Sequence, residues 1–443
     1  MNPNWHSAQF KDFCDITRGG SPRPIHDYLG NEGMPWVKIA DATAEHSRYI
    51  SKTKEKIKLD GVKASVEVFP GDLILSNSAT PGLPKFLKIN ACIHDGWMLL
   101  RNFKGLDIEF AYWLLLAERS KLVAQGNGSI FKNLKTDILK SHIVNVPPAD
   151  DQKRIAEFLN TLDDSITLLQ EINYTLEAIA AAIFKSWFID FDPVRANQEG
   201  KQSEGIDKET AALFSSAFEQ SKIGEIPKGW GVGLLGDYLE VLETGRRPKG
   251  GVGGIETGIP SIGAESISKI GDFDYKKIKF VSTEFFEKMK SGKLESGDVL
   301  LYKDGGKPGI FLPRVSMFGD GFPFEVCGIN EHVFRLRIRE SLGQTFLYFY
   351  LWSDAVMHEL KHRGGKAAIP GINQSDVKEL KIIVPPYEIT EKYENVTQPM
   401  VSKILANSKK IKYLSDLRDA LLPRLISGKV KLLNIEDQIE KTT

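Results

Sequence analysis

This chain of 443 residues is written twice. Trp5 followed by Asp12-Phe13 returns as Trp230 followed by Asp237-Tyr238, 225 residues later. The loop Thr17-Arg18-Gly19-Gly20-Ser21-Pro22 has its counterpart in Thr244-Gly245-Arg246-Arg247-Pro248. Gly33-Met34-Pro35 returns as Gly258-Ile259-Pro260. Phe69-Pro70-Gly71-Asp72-Leu73-Ile74-Leu75 returns as Glu295-Ser296-Gly297-Asp298-Val299-Leu300-Leu301, now 226 residues on. Pro147-Pro148 returns as Pro385-Pro386, 238 residues on. Five landmarks in one order mark a duplication, and the growing offset puts net insertions in the second copy.

Each copy follows one plan. Short apolar runs broken by Gly, Pro, Asn and Asp come first. Val37-Lys38-Ile39, Asp72-Leu73-Ile74-Leu75 and Val299-Leu300-Leu301-Tyr302 read as strands. Ile108 to Ala124 and Gln344 to Lys361 read as helices. The Pro-Pro pair ends the unit, because proline continues neither a helix nor a central strand. A long amphipathic helix follows each pair. In the first, Ile155, Leu159, Leu162, Ile166, Leu169, Asn173, Leu176, Ala180, Ile183 and Trp187 recur at steps of four and three. In the second the stripe is Met400, Ile404, Asn407, Ile411, Leu414, Arg418, Leu421 and Leu425. Both read as coiled-coil seams, with Asn173 as a polar register position in the first; a core stripe of a globular bundle would give a looser version of the same steps. Asp150 to Phe188 carries seven acids and three bases, whereas Met400 to Lys429 carries seven bases and two acids. Opposite signs favour pairing of the two helices with each other, antiparallel if a two-fold axis relates the copies.

The expected fold is therefore α+β. Two mixed α/β domains stand in tandem pseudo-repeat, separated by two long antiparallel coiled-coil helices. The boundaries are 1–148 for the first domain, 149–189 for its helix, 190–225 for a polar linker, 226–386 for the second domain, 387–430 for its helix and 431–443 for a tail. A short helix is expected in the linker at Lys208 to Ser221.

Complete motifs for chemistry are missing. An amino-methyltransferase needs Asn/Asp-Pro-Pro-aromatic, and Val384-Pro385-Pro386-Tyr387 has no side chain to accept the target amine. Gly305-Gly306-Lys307-Pro308 and Gly364-Gly365-Lys366-Ala367 lack the spacing and hydroxyl of a phosphate-cradling loop. Glu359-Leu360-Lys361 and Glu379-Leu380-Lys381 have no Pro-Asp before them, as a nuclease motif would require. Of the eight histidines only His358 and His362 stand four apart, as His358-Glu359-Leu360-Lys361-His362, and no metal site is expected on that pair alone. Three scattered cysteines suit a reducing compartment. No apolar run reaches membrane-spanning length and Met1 to His6 is not a signal peptide, so a cytoplasmic protein is expected. Lys and Arg balance Asp and Glu at 58 each. That suits a binder working inside a larger assembly. The run Arg48 to Lys63 is locally basic, six cations to two acids, and reads as a solvated face.

Four segments resemble the specificity subunits of type I restriction–modification systems. Ala182-Ile183-Phe184-Lys185-Ser186-Trp187-Phe188-Ile189-Asp190-Phe191-Asp192-Pro193-Val194 is similar to that family's central region. Ile223-Gly224-Glu225-Ile226-Pro227-Lys228-Gly229-Trp230 is similar to the start of its second recognition domain. Leu421-Leu422-Pro423-Arg424-Leu425-Ile426-Ser427-Gly428-Lys429-Val430 resembles its C-terminal signature. The Pro-Pro-then-helix step, present twice, is the fourth. The resemblance implies a non-catalytic subunit that binds double-stranded DNA. It implies two methylation subunits and two restriction subunits as partners, in a bacterium or archaeon, with no membrane involved. This chain would hold no cofactor, and S-adenosylmethionine, ATP and Mg would sit on the partners. Each domain would read one half of a bipartite, asymmetric target. A helix of about 35 residues spans roughly 50 Å, enough to set two readers one or more turns of DNA apart.

The residues expected at DNA are Arg18, Ser21, Lys38, Ser76, Asn77, Asn127, Ser129 and Lys132 in the first copy. In the second they are Arg246, Arg247, Lys249, Lys303, Lys307, Arg363, Lys366 and Asn373. Turns alone explain the glycines and prolines of these loops, but the clustered cations add donors for phosphates and guanine edges. The helix positions expected at the seam or at partners are Ile155, Leu159, Leu162, Ile166, Asn173, Leu176 and Trp187, with Ile404, Asn407, Ile411, Leu414, Leu421 and Leu425. A protein-interaction scaffold that never touches DNA would need only the helices, and the basic glycine loops in both copies weigh against it.

Overall fold

The computed structural model describes residues 5–45, 47–125, 133–305, 309–319, 322, 324–365 and 370–432. These fall into two units, Met1–Leu168 with Tyr413–Thr443, and Leu169–Lys412. The duplication is visible strand by strand. In the first unit one sheet runs Asp15–Arg18, Trp97–Arg101, Leu73–Ser76, Pro84–Leu87, Tyr49–Ile50. A second runs Leu29–Gly30, Glu55–Ile57, Met34–Val37, Ala91–Ile93, Val66–Val68. The second unit has a sheet of Leu239–Thr244, Val333–Ile338, Val299–Tyr302 and Val315–Met317, and another of Lys279–Val281, Ile259–Ile262 and Gly328–Ile329. In each copy the central strand of the second sheet pairs in parallel, Met34–Val37 with Ala91–Ile93 and Ile259–Ile262 with Gly328–Ile329.

The Gly-Asp landmark has a physical cause. Gly71 and Gly297 sit at φ of 91° and 87°, a region that glycine enters without strain. The next side chain then closes the turn. Asp72 accepts from the Phe69 amide at 2.6 Å, and Asp298 accepts from the Glu295 amide at 2.7 Å. Both turns aim a buried strand, Leu73–Ser76 or Val299–Tyr302, into its core.

Helix α1 (Ile108–Ala124) forms where its apolar run predicts, with Asp107 capping the Phe110 amide at 2.9 Å. Helix α2 is Ala149–Phe188. Its counterpart to α1 in the second copy is broken. Helix α3 (Gln344–Trp352) stops at Ser353, whose hydroxyl donates to the Tyr350 carbonyl at 2.7 Å, and a new helix starts at Asp354. Serine offers the backbone this local alternative to a continuing helix. Helix α4 is Tyr387–Ile426. The strand expected through Val37-Lys38-Ile39 ends at Val37, because Asp41 accepts from the Lys38 amide at 2.8 Å and starts a short helix there.

Helices α2 and α4 pack together, each lending one half to each unit. In the first unit Ile155 and Leu159 share a core with Leu425 and Ile426, and Arg418 donates to Asp163 at 2.6 Å. In the second, Asn407 donates to Asn173 at 2.8 Å, and Asn173 donates to the Ile404 carbonyl and the Ser408 hydroxyl at 3.3 and 3.4 Å. Residue numbers fall along one helix as they rise along the other, so the pair is antiparallel. Ile166, Trp187 and Ile404 are buried, whereas Leu162, Leu176, Ile411, Leu414 and Leu421 are half-buried. The seam asparagine is met by a second asparagine, which removes the cost of burying an unpaired amide.

Two expectations need correction. The segment 190–225 is a packed element. It holds the helices Asp192–Gln198 and Lys208–Ala211, and Phe218–Ser221 pairs with Gly224–Pro227 as a hairpin, so the helix expected to reach Ser221 ends at Ala211. Phe191, Val194 and Phe214 enter the core with Phe184, Trp187, Phe188 and Trp230, Trp187 lying 5.3 Å from Phe214. Arg48, counted with the solvated basic run, is 5% exposed and paired with Asp163 and Asp164 of α2.

Glu394 of α4 accepts from the Phe346 amide at 2.7 Å, at the N-terminus of α3. Gly343 lies at φ 88°, and a Cβ there would approach the Glu394 carboxyl carbon to 2.2 Å. Burial pushes Glu394 up to about 7, against the opposing pull of the Phe346 and Thr345 amides. A raised carboxyl stabilises the fold fully below its unfolded value, and that contribution disappears as pH rises through 7. The protein should therefore lose on the order of 2 kcal/mol between pH 5 and 8 from this group. Glu394→Gln should flatten that slope in urea titrations, and an unaltered slope would show another group to be responsible.

Candidate nucleic-acid interface

Three loops meet at the same place in each copy. In the first, the strand Asp15–Arg18 runs into Gly19, Leu73–Ser76 into Asn77, and Ala91–Ile93 into His94-Asp95-Gly96. The Gly19 amide donates to the Trp97 carbonyl at 2.8 Å, and the Asn77 amide to the Gly96 carbonyl at 2.8 Å. A Cβ on Gly19 would lie 2.2 Å from the His94 carbonyl oxygen, so only glycine allows this approach. The second copy repeats the frame. The Gly245 amide donates to the Asn330 carbonyl at 3.2 Å and the Lys303 amide to the His332 carbonyl at 3.0 Å. A Cβ on Gly245 would come within 1.5 Å of the Ile329 oxygen. Asn77 thus corresponds to Lys303, and Asp95 to Glu331.

Asp95 gathers the first loop set. Its carboxylate accepts from Ser21 Oγ at 2.7 Å and from Arg23 at 3.1 Å. Its carbonyl accepts from Arg18 Nε at 3.1 Å and Asn77 Nδ2 at 2.9 Å. Burial would raise this carboxyl, but the Ser21 hydroxyl and the Arg23 guanidinium hold it below the usual carboxylate range. Burial also pushes the adjacent His94 imidazole below its usual range. A charged acid thus stands beside a ring that stays neutral near pH 7.

Glu331 does the same in the second copy. Arg247 pairs with it at 3.0 Å, and Lys303 donates to its carbonyl at 3.3 Å while pairing with Asp304 at 3.1 Å. His332 bonds Asp304. Arg246, Arg247 and Lys279 line one shallow cleft with Ser261 and Asn330. Lys279 pairs with Glu265 at 2.9 Å. Arg246 and Lys249 are exposed and meet no partner among the described residues.

The expected DNA residues separate accordingly. Arg18, Ser21, Asn77, Arg247 and Lys303 are brought into the two loop clusters, with Arg246 and Lys249 beside the second. Lys38 lies on a neighbouring strand end and pairs with Glu55 at 2.6 Å. Three residues serve the fold instead. Ser76 is fully buried, donating to the Thr80 carbonyl and accepting from the Leu83 amide at 2.9 Å. Arg363 is held by Glu359 at 3.1 Å and Glu379 at 3.4 Å. Asn373 caps a short helix, accepting from the Ser375 and Asp376 amides at 2.7 and 3.1 Å. Asn127, Ser129, Lys132, Lys307 and Lys366 lie outside the described residues. Sequence reading missed Asp95, His94, Arg23, Glu331 and His332. The available signal was an acid two places after a buried isoleucine in both copies, Ile93-His94-Asp95 and Ile329-Asn330-Glu331.

Two copies of one mixed domain, each presenting a polar loop cluster and joined by a shared helix pair, define a two-domain specificity chain. The sequence matches the family described as Type I restriction modification DNA specificity domain over residues 2–178 and 227–415, and the chain belongs to that family. The MjaIX specificity subunit of a type I restriction enzyme from Methanocaldococcus jannaschii is 27% identical, with 97% of this chain and 94% of that protein covered. The HindI specificity subunit from Haemophilus influenzae is 25% identical over 94% of this chain and 98% of that protein. The fold is similar to the crystal structure of the type I restriction–modification S subunit from M. genitalium, at a TM-score of 0.58 and 16% identity, covering 96% of each chain. Among the described residues, no helix is long and apolar enough to cross a membrane.

Proposed function

We propose that each recognition domain reads one half of a bipartite, asymmetric DNA target, while α2 and α4 set the unread spacing and dock two methylation subunits. The observation that carries this reading is one loop frame filled with two chemistries. Ser21, Arg23 and Asn77 occupy it in the first copy, and Arg247 and Lys303 in the second. Equal frames suit equal docking on a duplex, and unequal side chains suit unequal half-sites. The helices support the docking role. Leu168, Ile179, Val396, Tyr413 and Leu417 are between 42% and 57% exposed on them, apolar side chains for a docked partner to cover. The chain contributes no chemistry alone. S-adenosylmethionine would bind the methylation subunits, and ATP and Mg two restriction subunits, in the cytoplasm of a bacterium or archaeon.

Exchange of residues 1–148 for the same region of a relative tests the division of labour. The methylated sites of a host carrying the hybrid should change in one half-site and keep the other half and the spacing. A change in both halves, or in neither, would refute the modular reading.

A further inference from the structure

A carboxylate beside a phosphate backbone opposes binding, because DNA is a polyanion. Yet each copy sets one at the centre of its loop cluster, Asp95 in the first and Glu331 in the second. Their ion pairs alone give the fold little reason to keep them. Their side chains are 39% and 36% exposed, and ion pairs that open to solvent contribute little to folding. Glu331 even shuts its second oxygen, Oε2, away from solvent with no partner among the described residues. An orphaned acceptor of that kind costs the fold free energy.

What the two acids share is an arginine. Arg247 is gripped at Nε, which leaves both terminal nitrogens of its fork unassigned. Arg23 is gripped at one terminal nitrogen and is 71% exposed beyond it. An exposed arginine without such a grip samples many rotamers and loses that freedom on binding. One fixed in advance presents its planar fork at a set angle. Each acid is also tied down on its own side, since its carbonyl accepts from Asn77 and Arg18, or from Lys303.

We infer that Asp95 and Glu331 are positioning residues for base readout, each aiming the arginine of its own domain, Arg23 or Arg247, at a base edge. The inference rests on the DNA-reading role proposed above. It assigns Arg246 and Lys249, which no acid holds, to the phosphates.

The test uses the full chain in its complex with the methylation subunits, with modified sites read by sequencing. Glu331→Gln should relax base preference about tenfold at one or two positions of one half-site. Asp95→Asn should do so in the other half-site only. Affinity for unrelated DNA should not fall in either, since each substitution removes a negative charge from the interface. Because Glu331 acts through Arg247, adding Glu331→Gln to Arg247→Gln should change nothing further. If Glu331→Gln fails to assemble, Arg247→Lys keeps the charge, removes the fork, and should relax the same positions. Variants that methylate with unaltered preference would overturn the inference, as would additive effects in the double variant. An unmodified complex with no sequence preference at all would instead refute the DNA-reading role itself.

Discussion

Four residues inserted after Leu168 and four after Lys412 should lengthen the unread spacer of the DNA target by one or two base pairs and leave both half-sites unchanged. The two positions are the places where α2 and α4 pass from one unit to the other. Cross-helix pairs on either side are Asp163 with Arg418 in the first unit and Asn173 with Asn407 in the second. Paired insertions of four residues there come close to one whole turn, so the seam contacts within each unit stay nearly in phase. Four residues add about 6 Å, at about 1.5 Å each, and turn the helix about 40° past a full turn. A base pair rises about 3.4 Å. Two-residue insertions at the same places should instead rotate each apolar stripe about 200° and prevent folding, because half the seam would face water. Sequencing of methylated sites reads the first result, and soluble yield with circular dichroism the second. A stable four-residue variant with the original spacer would mean that bound partners, not the helices, set the distance.

Asp163→Ala should destabilise the first unit by about 3 kcal/mol, since loss of one partner strands buried charge. Asp163 is 10% exposed and stands between two guanidinium groups, Arg418 at 2.6 Å and Arg48 at 3.4 Å. Burial works against the charge of Arg48, and the carboxylates of Asp164 and Asp163 outweigh it. Removing the central carboxylate leaves the two cations facing each other with one partner fewer. Replacement of all three groups by apolar residues, Arg48→Met, Asp163→Leu and Arg418→Met, should recover part of the loss, because the buried charges leave together and the carboxylates that lose a partner, Asp164, Asp419 and Glu109, reach solvent. Urea unfolding of the single and triple variants decides it. A single variant within about 0.5 kcal/mol of the parent would reduce the cluster to an ordinary surface contact.

The parts of the fold governed by local pattern were legible. The repeat, α1, the strand Val299–Tyr302 and both seams follow from spacing alone. The rest turns on partners far off in sequence. Nothing near Arg48 announces Asp163, 115 residues away, so a run of lysines made it look solvated. Ser76 sits at a strand end like a contact residue, and only the Thr80 to Leu83 turn folding over it reveals its burial. The segment 190–225 looks like a linker by its charge, while three separated apolar side chains, Phe191, Val194 and Phe214, decide that it packs. At the interface, cations were sought because DNA is anionic. That rule finds Arg246 and Arg247 and is blind to the acid that holds Arg247.

Because each long helix is divided between the units, the order in which the protein can be completed differs from the order in which it is written. Leu169–Lys412 is one uninterrupted stretch, so the second unit has all its parts once Lys412 has left the ribosome. The first unit begins at the N-terminus yet needs Leu425, Ile426 and Leu432 to finish its core beside Ile155 and Leu159. Its sheets must wait, with the α2 seam uncovered, through most of translation. At about 5–20 residues per second, the roughly 260 residues between Leu168 and Leu432 keep that apolar stripe open for tens of seconds. The earliest segment made is the last to be secured.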